Sequence, residues 1–167
     1  MMILDNSATS IASHRAEVSD LHADEATNIY YLWHRAGQVQ QERGMIGYVM
    51  VGTNDFDEAT KFYDELLGTL GAGRFMESDA FVAWSTGPGA PAMSVCKPSD
   101  GNAATVGNGV MVAITVDSKE KVDALHAKAL ELGGTDEGAP GQRTDNFYAG
   151  YFRDLDGNKL NAFYFSQ

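Results

Sequence analysis

The groups in this 167-residue chain that could do chemistry are few and scattered. There is one cysteine, Cys96, so neither an intramolecular disulfide nor a cysteine-based zinc cluster can form. Of the four histidines, His14, His22 and His34 lie in the first 44 residues, at spacings that fit no metal-ligand pattern. They read as solvated polar residues. The fourth, His126, sits at the margin of an apolar helical stripe, without the spacing to a Ser or Cys that nucleophilic catalysis needs. Cys96 reads either as a pocket thiol or as a small inert residue in a sheet. The run Asp154-Leu155-Asp156-Gly157-Asn158 offers oxygens to a calcium ion but lacks the later ligands of a calcium-binding loop, and reads as a hairpin turn. The glycine-proline stretch from Ser85 to Pro91 has no Lys-Ser/Thr after it, so it is a turn and no phosphate loop.

Composition narrows the classes further. Net charge is −11, which makes nucleic acid a poor partner, because phosphate binding needs a basic surface. Hydrophobic residues are 44% and charged residues 21%, as in ordinary globular domains. No apolar run is long enough for a membrane span and the N-terminus lacks the pattern of a secretory signal, so a cytoplasmic location and no membrane partner are expected.

These residues must be positioned by a regular pattern that begins at Met45. The segment before it, residues 1–44, is polar, with one plausible helix from Asp24 to Gln41, and reads as an appended extension: a tag, an upstream start or a docking helix. From Met45 a strand alternates with Val49 and Val51 on one face. Asp55 then opens a helix, with Glu58 completing a capping box. Ala59, Phe62, Tyr63, Leu66, Leu67 and Leu70 form its apolar stripe, and Gly71 ends it. Strands follow at about Gly73–Glu77, Phe81–Thr86 and Ala92–Lys97. The sequence Gly109–Asp117 is again a strand, with Val110, Val112, Ile114 and Val116 on one face and Met111, Ala113 and Thr115 on the other. Asp117 with Glu120 reads as a second capping box. Val122, Leu125 and Ala129 mark a second helix, and three more strands close the chain at about Gly138–Arg143, Asn146–Arg153 and Lys159–Phe165.

The two halves repeat. A shift of 63 carries Phe62 to Leu125 and Tyr63 to His126; beyond a longer loop the shift becomes 67, carrying Trp84 to Tyr151 and Ser94 to Asn161. Each unit reads β-α-β-β-β, and one helix covers only one face of a four-stranded sheet. The other face needs a second unit or a ligand.

The paired modules, the Val51–Gly68 stretch and the closing Phe152–Phe165 hairpin resemble the vicinal oxygen chelate superfamily, which includes glyoxalase I, bleomycin-resistance proteins and extradiol dioxygenases. Leu155 stands where that family's closing hairpin carries proline. The resemblance implies an α+β fold of two β-α-β-β-β modules, about 45–98 and 107–167, forming a partly open, cupped sheet barrel over residues 45–167, together with pairing of two chains. It also implies a metal in the hollow. The positions corresponding to that family's ligands are Tyr48, Ser94, Met111 and Asn161. Tyrosine, serine, methionine and asparagine offer no imidazole or carboxylate, so no metal and no cofactor are expected.

The expected site is therefore a small-molecule pocket of Tyr48, Trp84, Ser94, Cys96, Met111, Thr115, Tyr151, Arg153, Asn161 and Phe163. Aromatic stacking would supply affinity, and Tyr48 and Asn161 orientation, with an aromatic or cationic ligand as the expected class. The rival readings are a glyoxalase-like lyase or isomerase (using Glu77 with Cys96 as shifted metal ligands, or Tyr48 in acid–base work) and a ligand-free dimeric interaction protein.

Overall fold

A computed structural model describes residues 45–166; the extension expected at 1–44, with its helix and three histidines, lies outside the described residues. The first module runs β1 (Tyr48–Gly52), α1 (Phe56–Gly68), β2 (Gly73–Ser78), β3 (Phe81–Ser85) and β4 (Ala92–Cys96). The second runs β5 (Val112–Thr115), α2 (Lys119–Glu131), β6 (Thr135–Thr144), β7 (Phe147–Arg153) and β8 (Lys159–Phe165). The strand orders are β1-β4-β3-β2 and β5-β8-β7-β6, so each module builds its own four-stranded sheet. In each, the first strand pairs parallel to the last and the remaining pairs are antiparallel.

The helices form where the sequence pattern places them. Asp55 is extended at the N-cap, and its carboxylate accepts from the Glu58 amide at 3.1 Å. This satisfies one of the amides left without a partner in a first turn. The second cap is Ser118, not Asp117: its hydroxyl accepts from the Lys121 amide at 3.3 Å, while Asp117 is outside the helix and pairs with Lys121 on the surface. The first helix ends at Gly68, capped by Thr69, and Gly71 takes the left-handed conformation (φ 75°) that turns the chain into β2.

Each helix seals one face of its sheet. Phe62, Tyr63, Leu66 and Leu67 of α1 pack on Val82, Trp84, Met93 and Val95, while Val122, Leu125 and Ala129 of α2 pack on Phe152, Leu160 and Ala162. Burying each Val, Leu, Phe or Met side chain of this layer contributes about 1.5–3 kcal/mol. The polar members of this layer are hydrogen-bonded: Trp84 Nε1 donates to Asp64 at 2.7 Å, and His126 Nε2 lies 2.9 Å from Asp136.

The modules are tied by the turn between β7 and β8. Asp154 Oδ1 accepts from the amides of Asp156 and Asn158, and Gly157 is left-handed (φ 87°), which is the expected hairpin turn. The same turn reaches module one: Tyr63 donates to Asp154, Asn158 Nδ2 donates to the Gly52 carbonyl at 3.0 Å, and the Asn54 amide donates to Asp156 at 2.8 Å.

Candidate functional site

Strand alternation divides the expected site residues between two open faces, the sides of the sheets that carry no helix. On the second sheet, Val112, Ile114 and Val116 pack toward α2, while Met111, Ala113 and Thr115 face outward and are exposed. Register then places Ala113 beside Asn161, Thr115 beside Phe163, Tyr151 beside Asn161, and Arg153 beside Lys159. Six of the ten expected residues thus share one surface: Met111, Thr115, Tyr151, Arg153, Asn161 and Phe163.

This surface is graded along its strands. At one end Phe147 stacks near Phe163 and Phe165, with ring centroids 5.5 and 6.4 Å apart. In the middle is Asn161, 1% exposed, whose side-chain oxygen has no hydrogen-bond partner among the described residues. A buried amide oxygen left unpaired costs about 1–3 kcal/mol, and such groups are uncommon in native interiors. At the other end Arg153 and Lys159 both hydrogen-bond the Glu137 carboxylate. Those two hydrogen bonds hold the Glu137 carboxyl below the usual glutamate range. Tyr151 carries Arg143 over its ring at 5.2 Å and Lys159 at 5.7 Å. Sequence reasoning missed Lys159, Arg143 and Glu137. The signal for Lys159 was available, since it stands two residues before Asn161 on the same face.

The first sheet takes Tyr48, Ser94 and Cys96. Tyr48 is exposed, beside Ala92 in register, and Ser94 is buried beside Met50. The Ser94 hydroxyl donates to the Val49 carbonyl at 2.9 Å. Cys96 is half-buried, and burial pushes its thiol up, which lowers its thiolate content and fits the inert reading.

Three expectations are corrected. Trp84 does not line an open face: it is buried against Tyr63 under α1. The turn between β3 and β4 is one residue longer than the turn between β7 and β8, so the repeat of Trp84 is Phe152, and an offset of one residue reverses a strand's faces. Glu77 and Cys96 do not form a shifted metal pair, because Glu77 bonds Arg74 on the helix side while Cys96 lies on the opposite face. Nor do Tyr48, Met111 and Asn161 share one sheet: Tyr48 stands on β1 of the first, whereas Met111 leads into β5 and Asn161 stands on β8 of the second.

The family-type metal positions hold a phenol, a hydroxyl already donating to the backbone, a thioether and an amide. That donor set does not suit a hard or borderline divalent ion. Among the described residues no three of His, Cys, Asp and Glu come together as a ligand cluster. Among those residues also, no helix is long and apolar enough to cross a membrane.

A family model described as Glyoxalase/Bleomycin resistance protein/Dioxygenase superfamily matches residues 45–162. The chain is similar to a glyoxalase/bleomycin resistance protein from Albidiferax ferrireducens T118, at 41% identity and a TM-score of 0.67, over 72% of this chain and 98% of that one. A lactoylglutathione lyase from Agrobacterium tumefaciens shares the fold at 18% identity and a TM-score of 0.55, over 72% of this chain and 92% of that one. Among curated proteins none matches.

Proposed function

The chain belongs to the glyoxalase/bleomycin resistance protein/dioxygenase superfamily, and from that premise we propose that it binds a small organic molecule on the open face of its second sheet without a resident metal. The observation that carries the proposal is Asn161, a buried amide whose oxygen has no partner among the described residues, set between an aromatic cluster and a polar end. Affinity comes from Phe163 and Tyr151, and orientation from Asn161. An apolar surface with a few convergent polar groups is what such sites present. Tyr48 carries no acid–base role in this reading, since it is exposed on the other sheet and no polar side chain is bonded to its hydroxyl among the described residues. The reading places the protein in the cytoplasm, where its single cysteine stays reduced.

The functional unit in this proposal is a pair of chains. Among the described residues strands β1 and β5 are sheet edges; exposed Tyr48 and Met50 lie on β1, and exposed Met111 just before β5. An exposed apolar edge is a template for pairing with another chain, and a second copy setting its first sheet beside this chain's second sheet would roof the site.

Thermal-shift screening of metabolites and drug-like aromatics tests the binding reading, because a ligand of the native state raises the melting temperature. At least one stabilising compound is expected, with no metal content in the purified protein that tracks its binding. A tightly held stoichiometric transition metal, or a library without a single stabiliser, overturns it. Light scattering of the eluting protein tests the pairing; a monomer at micromolar concentration overturns that part.

A further inference from the structure

We infer that the ligand of this face is an organic anion: an apolar or aromatic body lying over Phe163 with a carboxylate-type group held by Arg153 and Lys159. The inference rests on the proposed small-molecule reading and adds the sign of the ligand's charge.

A cleft of about 490 Å³ lies between the loop at 106–111 and the side chains of Arg153 and Lys159. Two of the nine lysine and arginine residues from Met45 onward therefore line one cleft, in a chain whose net charge is −11. One carboxylate, Glu137, serves both. Arg153 also donates through Nη1 to the Gly157 carbonyl at 2.7 Å, which fixes its plane. Its Nη2 and two hydrogens of the Lys159 ammonium have no acceptor among the described residues. Arg143, over the Tyr151 ring, forms no ion pair among the described residues and adds a third positive charge beside the face. Three cations, Arg153, Lys159 and Arg143, thus stand on this face with one carboxylate, Glu137, bonded to two of them. Distant surface carboxylates are screened beyond about 10 Å at moderate ionic strength, so the groups at the cleft decide which charge is accepted. Guanidinium and ammonium groups bind carboxylates with short, charge-assisted hydrogen bonds.

Length follows from the strands. Lys159, Asn161 and Phe163 stand at alternate positions of β8, so their spacing along the strand is about 7 Å per step. A ligand with its anion at Lys159 and its ring at Phe163 passes over Asn161, where a polar atom would meet the orphan amide.

The probes are 8-phenyloctanoate, whose extended chain is about as long as the two strand steps, its neutral amide and the cationic 8-phenyloctylamine, compared by calorimetric titration and by amide chemical shifts. The carboxylate is expected to bind with shifts at Tyr151, Asn161 and Phe163, the amide at least tenfold more weakly, and the amine not at all. Lys159→Met should weaken the carboxylate about tenfold and leave the amide unchanged. Lys159→Arg, which keeps the charge, should restore binding and controls for folding, and Arg143→Gln gives a second variant at an exposed position. If the amide or amine perturbs the same residues with equal affinity, the charge inference falls and the small-molecule reading stands. If no probe perturbs this face, the charge inference also falls, and the broad thermal-shift screen decides the small-molecule reading by itself.

Discussion

The Tyr63 hydroxyl donates to Asp154 Oδ2 at 2.8 Å, joining residues 91 positions apart and the helix of one module to the hairpin turn of the other. Both groups are buried, and burial pushes the Asp154 carboxyl up, while hydrogen bonds from Asn158 and Tyr63 oppose the rise. Removing the donor leaves a buried carboxylate short of a partner. Tyr63→Phe is expected to cost about 1–3 kcal/mol. The loss is felt when Asp154 is ionised. A carboxyl raised in the folded state contributes stability below its unfolded value of about 4 and loses it as pH rises through the folded value. The variant should therefore be further from wild type at pH 7 than at pH 4 in urea unfolding, and an equal deficit at both contradicts the assignment.

Asp64 behaves in the opposite sense. Arg74 grips its carboxylate at 2.9 and 2.6 Å and holds it below the usual aspartate range, with Trp84 Nε1 as a further donor. Stability from this group is present above the unfolded value of about 3.9 and is lost as pH falls through the folded value. Asp64→Asn should flatten the acid limb of the stability curve; a limb as steep as wild type would show that other carboxylates govern it.

Trp84→Phe separates core from site. It removes the hydrogen bond to Asp64 and part of a packed ring, at an expected cost of about 1–3 kcal/mol, while ligand affinity stays the same. Loss of binding in a variant that still folds would return Trp84 to the pocket.

Asn161→Ala should do the reverse. Alanine adds no volume and removes the oxygen that has no partner among the described residues, so folding is expected to change by less than about 1 kcal/mol and ligand binding to fall. A destabilised variant would mean that the amide has a partner in the folded protein that makes it structural.

The helix caps give a cheaper check. Ser118→Ala and Asp55→Ala should each cost about 1 kcal/mol, whereas Asp117→Ala should leave the melting temperature unchanged, since its only side-chain partner among the described residues is the exposed Lys121. The repeat itself held this answer: a shift of 63 from Asp55 reaches Ser118. The capping-box pattern at Asp117 and Glu120 was the competing local signal, and it placed the helix start one residue early.

The elements, their repetition and the inward or outward sense of β5, β7 and β8 were legible from residues alone, because alternation, helical spacing and capping act over a few residues. The family was legible for the same reason, since its pattern is the order of such elements. The place of Trp84 was not: its face depends on the length of a turn, and one extra residue between β3 and β4 reverses the outcome. Likewise, the pairing of Glu137 with Arg153 and Lys159, the Asn161 oxygen without a partner among the described residues and the division into two sheets arise from segments that meet across the fold. Local sequence determined which side chains could face outward; only the tertiary contacts decided which of them share a surface and which charged groups are brought beside it.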